Sequence, residues 1–218
     1  ITFAIQGDQN APVGHLDGGV LFNPTNNTTY TLFATSNNYQ GGTTIQSGTV
    51  VVATGALPTT GNVAIASGAT LTTMVNSVNT NGTFANTGFF NIQAIFTPSH
   101  YTSFTNIGRV YVYGLGSIAG NVTASNSLNI GRDSLGTTSA NNFTTSNAIV
   151  FDQINIYNTS SLNTTGGGSV TADLYMLNSS TFAGNVSGSI LTTGQDSFGA
   201  TFSNTAFLAS QAISNFPK

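Results

Sequence analysis

From Gly41 onward the chain sets its apolar side chains in short alternating runs, such as Thr49-Val50-Val51-Val52 and Arg109-Val110-Tyr111-Val112-Tyr113, each cut off by Gly, Asn, Ser or Thr. Period-two alternation is the signature of half-buried strands, and no stretch sustains the 3.6-residue period of a helix. The runs also recur. Ile45-Gln46-Ser47-Gly48-Thr49-Val50 returns as Ile65-Ala66-Ser67-Gly68-Ala69-Thr70, and Gly88 and Gly108 continue the beat of Gly48 and Gly68 at the same interval, each opening a new β-type run. A fixed period of this size predicts stacked coils rather than one globular core.

Further along, the apolar centres Val112, Ile130, Ile156 and Met176 follow at uneven intervals, the widest between Ile130 and Ile156, which predicts loop insertions on one face of the stack. One coil cannot bury its own apolar side chains. Stacking at the strand spacing of about 4.8 Å buries them against the coils above and below. Inward positions are expected at Ile45, Val50, Val52, Val63, Ile65, Leu71, Ile92, Val110, Val112, Ile130, Ile154, Ile156, Leu174 and Met176. Asn62, Asn121 and Asn185 are expected to stack on equivalent residues at turns and to tolerate left-handed backbone. The pattern predicts one all-β domain, a parallel β-helix of about 20 residues per coil with atypical ends: residues 1–40 as an N-terminal cap or docking strand, 41–197 as coils, and 198–218 as a C-terminal cap.

Composition narrows the function classes. Only 4% of the 218 residues are charged, with six Asp, no Glu, and Arg109, Arg132 and Lys218 as the cations. Nucleic-acid binding needs clustered cations to displace phosphate counterions, so that class is excluded. No apolar run approaches the roughly 18 residues of a membrane-spanning helix. With no cysteine, disulfides, thiolate metal sites and thiol nucleophiles are excluded together. The chain starts at Ile1 with no basic and apolar leader, so a processed mature protein or an excised segment is expected, and with Lys and Glu nearly absent it is expected outside the cell or on its surface.

Within 38–71, the string Gly41-Gly42-Thr43-Thr44-Ile45-Gln46-Ser47-Gly48-Thr49-Val50, then Gly55-Ala56-Leu57 and Val63-Ala64-Ile65-Ala66-Ser67-Gly68-Ala69-Thr70-Leu71, resembles the passenger-associated repeat of bacterial autotransporters. The resemblance implies a right-handed parallel β-helix exported to the cell surface for adhesion or display, with no catalytic residues to carry over. No stretch resembles the translocator barrel of such proteins. A released passenger, a fragment and a free-standing secreted relative all fit.

Candidate chemistry is sparse. Asp133, Asp152, Asp173 and Asp196 recur at nearly regular intervals, like the acidic row of a polysaccharide-cleaving β-helix, but they fall out of step with the apolar anchors and read as solvated turn residues. His15 and His100 lack ligand-spaced partners. Arg132-Asp133 reads as a weak local ion pair. Tyr111 and Tyr113 alternate with Val110 and Val112, so both face outward. With Tyr101 and Phe104 they form either a glycan-stacking platform or a group packed under a loop. The N-x-S/T sequons, among them Asn121, Asn142, Asn158 and Asn178, permit glycosylation without indicating it. No cofactor, metal or catalytic residue is expected. The sequence leads to a non-catalytic structural or adhesive solenoid that self-assembles into filaments, the strand Ile1-Thr2-Phe3-Ala4-Ile5 docking into a neighbouring copy. A glycan-binding adhesin and, third, a polysaccharide-degrading enzyme are the alternatives.

Overall fold

The computed structural model describes residues 19–24, 28–32, 41–53, 57, 61–74 and 82–199. It is an all-β parallel solenoid of about eight turns with about 20 residues per turn. At strand spacing the rod is roughly 35 Å long. The expected docking strand at Ile1 to Ile5, His15 and all of the C-terminal cap after residue 199 lie outside the described residues.

Two ladders of parallel strands form the principal faces. The shorter stacks Val20–Phe22, Thr43–Ile45, Val63–Ile65, Thr83–Asn86 and Ser103–Asn106. The longer runs from Thr29–Leu32 through Thr49–Val52, Thr70–Thr73, Phe89–Ile92, Arg109–Val112, Ser127–Ile130 and Ala148–Ile156 to Ser169–Met176, which pairs with Val186–Ser187 and Leu191–Thr193. Strand Ala148–Ile156 serves both faces. Its first part pairs with Val122–Thr123 and its second with Ser127–Ile130, with a register irregularity between Val150 and Gln153. Smaller ladders, Ile95–Phe96 with Ser117–Ile118 and Asn142–Thr145 with Ser161–Thr164 and Thr181–Ala183, close the remaining side.

All fourteen residues expected to point inward are buried in one core cluster. Register explains why. Val50, Leu71, Phe90, Val110, Leu128, Ile154 and Leu174 form one continuous column, so each side chain lands on its equivalent in the next coil. Burying such an aliphatic side chain contributes about 1.5–3 kcal/mol. In the middle coils the interior is aromatic: Phe84, Phe90, Phe96, Tyr101 and Phe104 pack with ring centroids 4.8 to 5.8 Å apart. Tyr101 and Phe104 therefore belong to the core, not to a surface platform.

The ladder begins upstream of residue 41, because Val20–Phe22 and Thr29–Leu32 already pair with Thr43–Ile45 and Thr49–Val52. The segment assigned to a cap thus contains coil strands. They lack the Ser-Gly corner that makes the later coils recognisable in sequence.

That corner has a steric basis. A Cβ on Gly108 would stand 2.8 Å from the Gly88 backbone nitrogen and would collide with its carbonyl, while one on Gly88 would collide with the carbonyls of Ala66 and Ala69. At Gly88 and Gly108 the beat marks where successive coils approach too closely for any side chain, whereas Gly68 has open space and a positive φ of 80°.

Asparagine occupies interior positions as well. The column Phe22, Ile45 and Ile65 continues as Asn86 and Asn106, both buried. Asn86 donates Nδ2–H to Asn106 Oδ1 at 2.6 Å and accepts the Gly88 N–H at 3.0 Å, while Asn106 donates to the carbonyls of Gly108 and Ser125 at 2.9 and 3.1 Å. Each amide closes the corner it precedes, so its burial is compensated. Of the turn asparagines, Asn62 and Asn121 accept the N–H groups of Thr83 and Ala148 in the following coil.

Candidate functional site

Along the outward face of the long ladder, register aligns Thr72, Asn91, Tyr111, Asn129, Asn155 and Tyr175 in one column. An outward column should be wet, yet Asn91, Tyr111, Asn129 and Asn155 are all buried. Two loops lie across them.

The first spans 131–141. Ser134 donates its N–H to Asn91 Oδ1 at 3.0 Å, and Asn91 donates Nδ2–H to Ser134 Oγ at 2.9 Å. The second covers 194–199 and repeats that geometry: Ser197 donates its N–H to Asn155 Oδ1 at 2.8 Å and accepts Asn155 Nδ2–H at 2.9 Å. An aspartate precedes each serine. Asp133 accepts the N–H groups of Leu135 and Thr137 at 2.9 and 2.7 Å, and Asp196 accepts that of Phe198 at 3.0 Å. Each loop leaves a long-ladder strand and reaches back two coils across an intervening tyrosine, Tyr111 for the first and Tyr175 for the second.

These clasps share a sequence, Gly-x-Asp-Ser-Φ-Gly, read as Gly131-Arg132-Asp133-Ser134-Leu135-Gly136 and again as Gly194-Gln195-Asp196-Ser197-Phe198-Gly199. Ala119-Gly120-Asn121-Val122 likewise returns as Ala183-Gly184-Asn185-Val186, at a spacing only one position longer. Three consecutive coils are therefore a higher-order unit, and the chain carries it twice.

A cationic and aromatic bridge joins the two clasps. The Arg132 guanidinium of the first lies 5.1 Å from the Tyr157 ring, and Tyr157 donates its hydroxyl to Asp196 of the second at 3.1 Å. Burial first, and then the Asp196 charge, push the Tyr157 phenol far above its ordinary range, with Arg132 opposing in part. Tyr113, beneath the first clasp, is pushed up to about 12 by burial and then by Asp133. Phe198 of the second clasp reaches Arg109, whose guanidinium carbon stands 4.3 Å from the ring centroid.

The sequence candidates fall differently from the simplest expectation. Tyr111 and Tyr113 do face outward but are only 5% and 6% exposed, so the first clasp closes the platform they would form. The four aspartates make no row. Asp152 accepts the Asn126 N–H at 2.8 Å, Asp173 accepts those of Ser189 and Ile190 at 2.9 and 3.0 Å, and Asp133 and Asp196 are 7% and 3% exposed. The reading as solvated turn residues is thus corrected for Asp133 and Asp196, whose burial is compensated by backbone N–H groups. Arg132, taken for a partner of Asp133, lies on Tyr157. His100 ends a 3-10 turn, Pro98–His100, with its buried Nδ1 unpartnered. Among the described residues no group of three or more His, Cys, Asp or Glu is placed to hold a metal, and no helix is long and apolar enough to cross a membrane.

Sequence reasoning missed both clasps and their asparagine receptors. The signal was present, since the two hexapeptides recur at almost the same distance as the Ala-Gly-Asn-Val strings. Compared with known proteins, the chain matches no family model, no curated protein and no solved structure.

Proposed function

We propose that this chain is a non-catalytic structural and adhesive solenoid that works outside the cell or on its surface, and that copies join end to end into filaments. The carrying observation is the polarity of its ladders. Within the described residues they begin at Val20–Phe22 and Thr29–Leu32 and finish at Val186–Ser187 and Leu191–Thr193, every pairing parallel. The edge of the first described coil is therefore complementary in hydrogen-bond pattern to the edge of the last described one. Head-to-tail contacts that continue a straight ladder axis do not close on themselves and so build open filaments. Strand edges are ordinarily protected by charge, and this chain is 4% charged.

Two further features favour the reading. All four described aspartates accept backbone N–H groups, which fits carboxylates that hold turns rather than transfer protons. The resemblance of 38–71 to the passenger-associated repeat favours export and display. Negative-stain electron microscopy and size-exclusion chromatography of the purified chain at neutral pH test the proposal. Long uniform filaments that disappear when Ile1 to Asn10 are deleted are expected. Compact monomers over a wide concentration range would overturn self-assembly.

A further inference from the structure

At the mouth of the first clasp lies an open depression of about 280 Å3. Its floor is the column preceding the inward one on the long ladder, where Thr29, Thr49, Thr70 and Phe89 stand in parallel register. Ser134 and Leu135 of the clasp overhang it, and no ionisable residue lines it. A second depression of about 210 Å3 adjoins it at Phe89 and continues to Arg109. From Thr29 to Arg109 the column crosses five strands, roughly 19 Å at strand spacing.

We propose that this groove binds a neutral carbohydrate, a short linear oligosaccharide laid along the solenoid axis with one pyranose ring against Phe89. Thr29 and Thr49 at strand spacing, with the almost fully buried Thr70 beside them, supply hydroxyls that both donate and accept, matching the hydroxyls of a sugar. The half-buried Phe89 ring offers an apolar face for the C–H side of a pyranose. Small-molecule sites combine an apolar lining with a few placed polar groups in this way. Between Thr29 and Phe89 the lining carries no charge for an ionic ligand to pair with, and Arg109, at the far end of the adjoining depression, lies against the Phe89 and Phe198 rings, 6.0 and 4.3 Å from their centroids. A peptide strand is disfavoured because the strands of Thr49, Thr70 and Phe89 already pair with the coils on both sides.

The internal repeat singles out this clasp. Phe198, the counterpart of Leu135, packs on Arg109 and is 43% exposed, whereas Leu135 is 79% exposed and projects beside the groove. This site goes beyond the structural role, since filament formation and sugar binding can each fail without the other.

Calorimetric titration of the full chain with neutral tetrasaccharides of glucose, mannose and galactose, alongside oligogalacturonate, tests the proposal. Saturable binding of at least one neutral ligand is expected, with a Kd on the order of a millimolar or below. Phe89→Ala should weaken it about ten-fold. Because Phe89 also packs within the coil, Leu135→Ser serves as the second variant; it should weaken binding several-fold with an unchanged thermal midpoint. The proposal is overturned if no neutral ligand binds at tens of millimolar, if only the charged one does, or if both variants bind like the parent.

Discussion

Asn91 and Ser134, 43 residues apart in the chain, exchange two hydrogen bonds through one side-chain amide, and with them a loop is fixed across an otherwise wet sheet face. Asn91 also donates to Thr72 Oγ1 at 3.1 Å, so the same amide ties three coils together. Removing it strands the part-buried Ser134 N–H and opens the loop. Asn91→Ala should cost about 1–3 kcal/mol in urea unfolding. Hydrogen exchange should accelerate at Ser134 and Thr137 while the inward strands stay protected. Unchanged protection in 131–141 would refute the clasp.

The two clasps should report on each other. Arg132, Tyr157 and Asp196 form one chain of contacts between them. Groups within a shared network show interaction energies of about 0.5–3 kcal/mol in double-mutant cycles. Ser134→Ala and Ser197→Ala are therefore expected to be non-additive, and the coupling should vanish in a Tyr157→Leu background. Strict additivity would mean that the clasps act alone.

Two glycines of the same beat should respond differently to alanine. A Cβ on Gly108 meets backbone of the neighbouring coil, with the Gly88 nitrogen and Thr87 carbonyl carbon both at 2.8 Å, so the coils must separate. Gly68 has nothing within 4 Å and carries only its positive φ of 80°. Gly68→Ala is expected to cost about 1 kcal/mol, and Gly108→Ala about 3 kcal/mol or failure to fold. Equal thermal midpoints for the two variants would contradict the close approach.

High pH should unfold the solenoid through its clasped tyrosines. The Tyr113 phenol rises from 10.0 in the unfolded chain to about 12 in the folded one, so the folded state holds its proton more tightly. Its contribution is intact below pH 10.0 and is lost as pH climbs toward about 12. Tyr157 shifts in the same direction and adds to the loss. Ultraviolet titration should show these tyrosines ionising last, together with the loss of β-sheet circular dichroism. Asp133→Asn should lower the Tyr113 value only in part, because burial is the larger cause.

The coil architecture was readable because it is written locally. Alternation places Ile45, Val112 or Met176 inward whatever lies elsewhere in the chain, and the glycine beat gives the period. The outward chemistry is not local. Asn91 and Asn155 have the composition of surface residues, and only a partner 43 or 42 residues downstream turns each into a buried receptor. The aspartates misled for the same reason, since spacing alone does not reveal that a turn will fold its backbone N–H groups around a carboxylate. The phenylalanine core escaped notice because Phe84, Phe90 and Phe96 belong to different faces of the coil and meet only in its interior.

In a simple solenoid each turn answers only to its immediate neighbours, so a chain can gain or lose single turns freely. Here a clasp must find its asparagine two turns back. An extra turn inserted just before the strand that leads into a clasp would leave the serine facing Tyr111 or Tyr175 instead of an amide. Gain or loss of a whole three-turn unit, the distance from Gly131 to Gly194, keeps every serine opposite its amide, so relatives of this chain should favour length differences of that step.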